Sequence, residues 1–289
     1  MNAQVWLRLG RVSNLPTVWS NVLCALALAE ALSFSSHVLV LAVIFSSFYV
    51  GGMYLNDAFD REIDAALRPT RPIPSGQVSA RTVFSIGFGA LLGATLLLAV
   101  VASSTGASLY AAAASGGGLS ALIVFYDAYH KQNPLSPLVM GACRVMIYVA
   151  AAYSVRDHLP SAVIWGALGL WCYLIGLTYA AKQEAFNRLT RIWPLAFLAA
   201  PLVYAAFLAS NQPLVWPFLG AFALWLGRAL AFLRPGARRS VPQAVVRLIA
   251  GISLLDAVLI ASTGAVEWAL LAVLACGATR LFQRVIPGT

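Results

Sequence analysis

Polar residues in this chain gather into short stretches between long apolar runs. Runs near the roughly 20 residues that cross a bilayer core lie at 17–35, 38–55, 83–104, 107–125, 136–154, 161–181, 194–210, 214–233, 245–262 and 266–284. They predict an all-α fold, a polytopic membrane bundle of about nine or ten transmembrane helices forming a single domain over residues 1–289. The period-2 alternation over segments of about 10 residues that marks a membrane barrel is absent. Links as short as Ser104-Thr105-Gly106 and Asn211-Gln212-Pro213 force the helices they join to be antiparallel neighbours. The first run is too long for a signal-peptide core and is expected to remain as a helix.

Composition agrees with this pattern. The chain is 61% hydrophobic and 10% charged, with mean hydropathy +0.82, and a soluble domain so composed would lack a polar surface. Basic residues fall in every second loop: Arg8 and Arg11, then Arg61, Arg68, Arg71 and Arg81, then Lys131, then Lys182, Arg188 and Arg191, then Arg234, Arg238, Arg239 and Arg247. That alternation places these loops on the cytoplasmic side of an inner or plasma membrane, and with ten spans Arg280 and Arg284 bring the C-terminus to the same side. The net charge of +9 is therefore a topology signal and an attraction to anionic lipid, not a nucleic-acid footprint. Cys24, Cys143, Cys172 and Cys276 lie in apolar runs without paired spacing, which disfavours a disulfide framework or a metal knuckle.

The densest chemistry follows the second run, where residues 56–64 read Asn-Asp-Ala-Phe-Asp-Arg-Glu-Ile-Asp. On a helix Asn56, Asp60 and Asp64 share a face, with Asp57 beside them. Like charges so placed repel unless they meet water or a hard, oxygen-preferring divalent cation such as Mg²⁺. The other polar segments predicted on that membrane side are Tyr126 to Lys131 and Thr178 to Arg188. Carboxylates facing a tyrosine-lysine loop and a basic, amide-rich loop suit a diphosphate bridged to protein by Mg²⁺, with lysine and arginine on the remaining phosphate oxygens.

These segments resemble the UbiA-type intramembrane prenyltransferase superfamily. Its first aspartate box, Asn-Asp-x-x-Asp-x-x-x-Asp, matches Asn56, Asp57, Asp60 and Asp64, and its arginine- and proline-rich pattern is similar to Arg-Pro-Thr-Arg-Pro-Ile-Pro-Ser-Gly at residues 68–76. The family's Tyr-Ser-x-x-Leu-Lys loop is similar to residues 126–131, keeping Tyr126 and Lys131, and Arg-x-x-Asn-Leu-Pro-Thr is found at 11–17. The resemblance covers essentially the whole chain and implies transfer of an isoprenoid chain from a polyprenyl diphosphate to an aromatic or other small lipophilic acceptor. It implies Mg²⁺ as cofactor on Asp57, Asp60 and Asp64 at a water-facing rim, Lys131 beside them in catalysis, and a prenyl tail lying between helices open to lipid. Asn56, Arg68, Arg71, Tyr126, Lys131, Arg144, Lys182, Gln183, Asn187 and Arg188 are the implied diphosphate-binding residues.

The second aspartate box departs from the family pattern, because Gln183 and Asn187 stand where the family has acids. Amides keep an oxygen but lose the charge, so one principal Mg²⁺ is expected, with Lys182, Arg188 and Arg144 supplying positive charge in place of a second metal. Glu184 is the nearest carboxylate, about 100° round a helix from Gln183. Arg144 and Asp256 lie within apolar runs, where ionisable residues are functional candidates. Asp256 is expected to pair with Arg144 or Arg247 as a lock, or to touch the acceptor. Asp127 is expected to meet solvent, and Tyr126, Tyr129 and Phe59 are candidates to shelter an allylic cation. Two competing functions are a catalytically degenerate prenyl-lipid-binding accessory protein and a secondary transporter, the latter without the broken-helix pairs expected of one. Neither the acceptor, the prenyl length nor the oligomeric state is legible.

Overall fold

The computed structural model describes residues 3–33, 35–131, 133–184, 192–234, 236 and 240–288. Among the described residues the chain is helical throughout, with α1 (Ala3–Leu9), α2 (Leu15–Leu28), α3 (Ser36–Phe59), α4 (Arg61–Leu67), α5 (Ala80–Thr105) and α6 (Leu109–Tyr129). There follow α7 (Ser136–Tyr153), α8 (Ser161–Ala181), a 3-10 segment (Trp193–Ala199) leading into α9 (Ala200–Asn211), α10 (Val215–Ala231), α11 (Val241–Ala261) and α12 (Val266–Phe282). Every apolar run becomes helix, and the punctuation is local chemistry. The side chains of Ser79, Ser108 and Ser240 accept from the backbone N–H of Thr82, Ala111 and Gln243, satisfying donors left over at the starts of α5, α6 and α11. Proline stands in the first turn of α2, α7, α9 and α11, where its missing N–H costs nothing. Gly106, at φ 78°, closes α5 in the left-handed conformation that glycine adopts freely.

Among the described residues seven helical segments are long and apolar enough to cross a membrane: α3, α5, α6, α7, α8, Trp193–Asn211 and α11. The protein is an integral, multi-pass membrane protein. The remaining three expected spans are shorter. The first apolar run forms Val12–Leu28 and α10 forms Val215–Ala231, while α12 has 17 residues. The first stops early because Glu30 adopts a positive φ of 52° and turns the chain where the apolar pattern alone would continue.

α11 is the buried centre, packed against α2, α8, α10 and α12. The hairpin partners α3 and α5 approach closely through small residues, as membrane helices do when backbone contact replaces the hydrophobic effect. A Cβ on Gly87 would come within 2.8 Å of Leu55, and one on Gly51 within 3.1 Å of the Gly87 carbonyl. The same device serves α7 and α8, where a side chain at Gly141 would overlap the Trp171 indole. A Cβ on Gly52 would likewise come within 3.0 Å of Ile123, so α3 also packs closely on α6, and the ends of these two helices carry the polar residues of the site.

Candidate functional site

A cavity of about 730 Å³ opens among α3, α6, α7, α8, α11 and the segment just before α2 that carries Arg11 and Asn14. Its polar part is lined by Arg11, Asn56, Asp60, Arg68, Arg71, Tyr126, Asp127, His130 and Lys131, and its apolar part by residues deeper in the helices, including Phe48, Leu119, Ile147 and Leu174. Such a volume is in the ordinary range of small-molecule pockets.

The first acidic motif straddles the joint between α3 and α4. Asp60 N–H donates to the Asn56 carbonyl at 3.0 Å and Asp64 N–H to the Asp60 carbonyl at 2.8 Å, so the helical hydrogen-bond ladder runs through the joint. Asn56, Asp57, Asp60 and Asp64 therefore stay together, as their spacing predicts. The expected water-facing rim is not what forms, for all four are buried, and the reason is that cations cover them. Arg71 Nη1 lies 2.6 Å from Asp64 Oδ2 and 3.3 Å from Asp57 Oδ1. Arg11 Nη2 lies 3.0 Å from Asp57 Oδ1 and also donates to Asn56 Oδ1. Lys131 Nζ sits 2.9 Å from Asp60 Oδ2. Arg68 lines the exposed mouth.

Arg11 reaches this position at a cost. Its backbone is left-handed, φ 42° and ψ 45°, a conformation on the order of 1–3 kcal/mol unfavourable for a residue with a side chain. Burial works to lower its pKa, but Asp57, Tyr49, Tyr126 and Asp127 together hold it above the ordinary value, so the guanidinium stays charged. His130, which the sequence reading passed over, stacks on Tyr126 at 4.9 Å and sets Nε2 3.6 Å from Asp60 Oδ2. Its Nδ1 lies 3.2 Å and 3.3 Å from the carbonyls of Tyr126 and Asp127, which can only accept, so Nδ1 carries the proton. Burial, reinforced by Lys131 and opposed by Asp60, pushes its pKa below the ordinary histidine value.

Several expected residues fall elsewhere. Lys182 does not line the cavity, because its ammonium donates to the Asn133 carbonyl at 2.7 Å and to Ser136 Oγ at 2.9 Å, and burial lowers its pKa. Gln183 is buried off the cavity, its Nε2 3.4 Å from the Tyr179 carbonyl, whereas Glu184 lines the cavity. Asn187 and Arg188 lie outside the described residues. Arg144 lines the cavity, but its Nη1 and Nη2 donate to Asn21 Oδ1 at 2.7 Å and Thr17 Oγ1 at 3.1 Å, with the guanidinium carbon 5.5 Å from the Tyr49 ring centre. Positive charge at the acidic end thus comes from Arg11, Arg68, Arg71 and Lys131 rather than from Lys182 and Arg144.

Asp256 makes neither of the expected ion pairs. It is fully buried and accepts from Ser20, Asn21 and Tyr148, while Arg247 donates to Gln243 and stacks on Phe232. Of the aromatic candidates only Tyr126 lines the cavity. Phe59 packs on Phe84 and Tyr129 is exposed. Asp127, expected in solvent, is buried and lines the cavity. A signal for it was present, since Asp127 lies one helical turn before Lys131 and shares its face.

The donor set is hard oxygen, which suits Mg²⁺. Among the described residues no three His, Cys, Asp or Glu groups already converge as metal ligands. The acids are held by Arg11, Arg71 and Lys131 instead, so binding a metal there would require these cations to turn away from the carboxylates.

The sequence profile described as the UbiA prenyltransferase family matches residues 15–255. The digeranylgeranylglyceryl phosphate synthase of Methanopyrus kandleri is 32% identical over 219 residues, covering 70% of this chain and 71% of that protein. The match to the same-named protein of Metallosphaera sedula, 45% over 62 residues, is local and takes in 21% of this chain and 22% of that relative. A solved structure of digeranylgeranylglyceryl phosphate synthase aligns with TM-score 0.63 at 15% identity, over 92% of this chain and 99% of that one. A UbiA homolog from Archaeoglobus fulgidus bound to DMAPP and Mg²⁺ aligns with TM-score 0.54 at 12% identity, over 97% and 99%. At such identities the structural likeness speaks for the fold alone; with the profile covering most of the sequence, the chain belongs to the UbiA prenyltransferase family.

Proposed function

We propose that this protein transfers an isoprenoid chain from a polyprenyl diphosphate to a small lipophilic acceptor inside the membrane, as one domain, with its polar mouth on the cytoplasmic side. One observation carries the reading: the buried acids and their cations stand at the mouth of a cavity whose inner wall is apolar. That arrangement matches a molecule with a diphosphate head and a hydrocarbon tail. The named relatives support the class of reaction, and the homolog that holds DMAPP and Mg²⁺ supports the head-group chemistry.

Asp57, Asp60 and Asp64 would hold Mg²⁺, which when bound supplies charge neutralisation to the diphosphate. Arg71 and Arg11 are placed to exchange carboxylate oxygens for phosphate oxygens, and a guanidinium can bind two at once. Lys131, paired with Asp60 and half exposed at the mouth, is positioned to follow the leaving diphosphate as its charge develops, the moment at which preorganised cations lower the barrier. Tyr126 lines the cavity, and an aromatic ring there could shelter an allylic cation. The apolar wall excludes water from that cation.

The amides at 183 and 187 favour a second reading, a protein that binds prenyl diphosphate without turning it over. One assay separates the two. Full-length protein in lipid nanodiscs, given an isoprenoid diphosphate and Mg²⁺, is expected to release pyrophosphate, and Asp60→Asn is expected to abolish the release. Tight binding with no release under any acceptor would favour the accessory protein, and absence of both would overturn the family-based assignment.

A further inference from the structure

Asp127 has an oxygen with nothing to do. It lies in the last turn of α6, is 4% exposed and lines the cavity. Its Oδ1 accepts from Asn56 Nδ2 at 3.1 Å, while Oδ2, also buried, has no hydrogen-bond partner among the described residues. Burying a carboxylate is costly unless a cation or a full set of donors compensates it, so such an atom calls for an explanation.

The surrounding cations are already committed. Asp57 and Asp64 share Arg71, Asp57 also has Arg11, and Asp60 has Lys131. Arg11 spends Nη2 on Asn56 and Asp57 and Nη1 on the Met53 sulfur. His130 turns its protonated nitrogen to the backbone carbonyls of Tyr126 and Asp127. Unlike Asp60, which lines the same cavity, Asp127 has no salt bridge among the described residues, and Asn56, which bridges it to Arg11, ties it to the first acidic motif. The cavity it faces is the one that Thr178 and Ala181 of α8 line. There the second motif offers an amide, Gln183, that does not reach the space.

We propose that Asp127 is a ligand for the divalent cation that accompanies the diphosphate, supplying from α6 the carboxylate that the second motif on α8 has lost. The proposal rests on the prenyl-transfer reading above. Its carboxylate offers the hard oxygen that Mg²⁺ takes, Asp127 and Asp60 line the same cavity, and a bound cation would give Oδ2 the compensation that the protein itself withholds. A diphosphate delivered with its metal then completes the coordination.

The test uses full-length protein in nanodiscs, Mn²⁺ as the probe, and a non-hydrolysable isoprenoid thiolodiphosphate, with bound and free Mn²⁺ read by electron paramagnetic resonance. Wild type, Asp127→Asn, Asp127→Ser and Asp60→Asn are compared. Expected is a tenfold or greater weakening of Mn²⁺ binding, or loss of one bound ion, in both Asp127 variants. Their thermal midpoints without metal should be equal to or above wild type, because an uncompensated buried acid has been removed. Wild-type Mn²⁺ affinity and stoichiometry in both Asp127 variants, with binding lost in Asp60→Asn, would overturn the proposal and leave the prenyl-transfer reading standing, Asp127 then being a protonated structural acid. Wild type that binds neither Mn²⁺ nor the analogue would overturn both.

Discussion

Arg144 donates to Asn21 Oδ1 across 2.7 Å, and Asn21 Nδ2 in turn donates to Asp256 Oδ2 at 2.9 Å. A cation at the cavity wall is thereby joined to a carboxylate buried in the bundle through an amide that serves both. Ser20 and Tyr148 donate to the same carboxylate, so α2, α7 and α11 are pinned at one polar point. In hydrocarbon the alternative for each group is an unsatisfied donor or acceptor, so the network favours one helix arrangement over its competitors.

The first prediction follows from that point. Asp256→Ala orphans the donors of Ser20, Asn21 and Tyr148, at about 1–3 kcal/mol for each donor left without a partner. It should lower the thermal midpoint in detergent clearly, whereas Asp256→Asn, which keeps an acceptor, should cost less. A scan of intrinsic fluorescence against temperature reads both. Equal midpoints for wild type and Asp256→Ala would show that the network is dispensable.

Arg71 is the second target. Its guanidinium holds Asp57 and Asp64 together and is placed to meet phosphate oxygens. Arg71→Ala leaves the acids to repel one another and removes a charge-assisted contact of about 1.5–3 kcal/mol, so binding of an isoprenoid thiolodiphosphate should weaken tenfold or more. Arg71→Lys should recover only part, because an ammonium lacks the planar fork. Isothermal titration in nanodiscs gives the affinities; full recovery by lysine would mean that charge alone matters there.

Much of this architecture was legible because the membrane imposes a simple code. Every apolar run became helix, and the spacing of Asn56, Asp60 and Asp64 placed them together even though α3 and α4 meet at Asp60. What was hidden is long-range. Nothing local to Arg11 announces that it will adopt a left-handed conformation and reach Asp57, 46 residues on. Nor could composition say that Asp256 would be satisfied by neutral donors, since Ser20 and Asn21 come from α2 and Tyr148 from α7. Lys182 misled because its loop position was right while its side chain found nearer acceptors. Asp127 was expected in solvent, but α6 runs on to Tyr129, past the apolar run at 107–125, and carries it into the cavity wall.

The packing of α3 yields a third prediction. Gly87→Val would drive a side chain into Leu55, one residue before Asn56, and displace the end of α3 that carries the first motif. The expected result is a lower thermal midpoint together with weakened Mn²⁺ binding. Gly89→Val, with open space beside it, should change neither by comparison, and equal behaviour of the two would show that close approach at Gly87 does not position the motif.

The last prediction separates the two neighbours in the altered second motif. Gln183 is buried away from the cavity, and Glu184 lines it. Restoring the family acid by Gln183→Asp therefore places a carboxylate where it reaches neither the cavity nor the first motif, and burial without access to a metal makes that charge a liability. Gln183→Asp should leave the Mg²⁺ concentration needed for half-maximal pyrophosphate release unchanged within about twofold and lower the thermal midpoint, about 1.4 kcal/mol being required for each tenfold change in an equilibrium. Glu184→Gln should do the reverse, raising the Mg²⁺ requirement with little effect on the midpoint, because the carboxylate it removes faces the space where the diphosphate would lie. A drop in the Mg²⁺ requirement for Gln183→Asp would mean that the end of α8 rearranges to bring position 183 into the cavity when substrate binds, and would return the metal-binding role to the second motif.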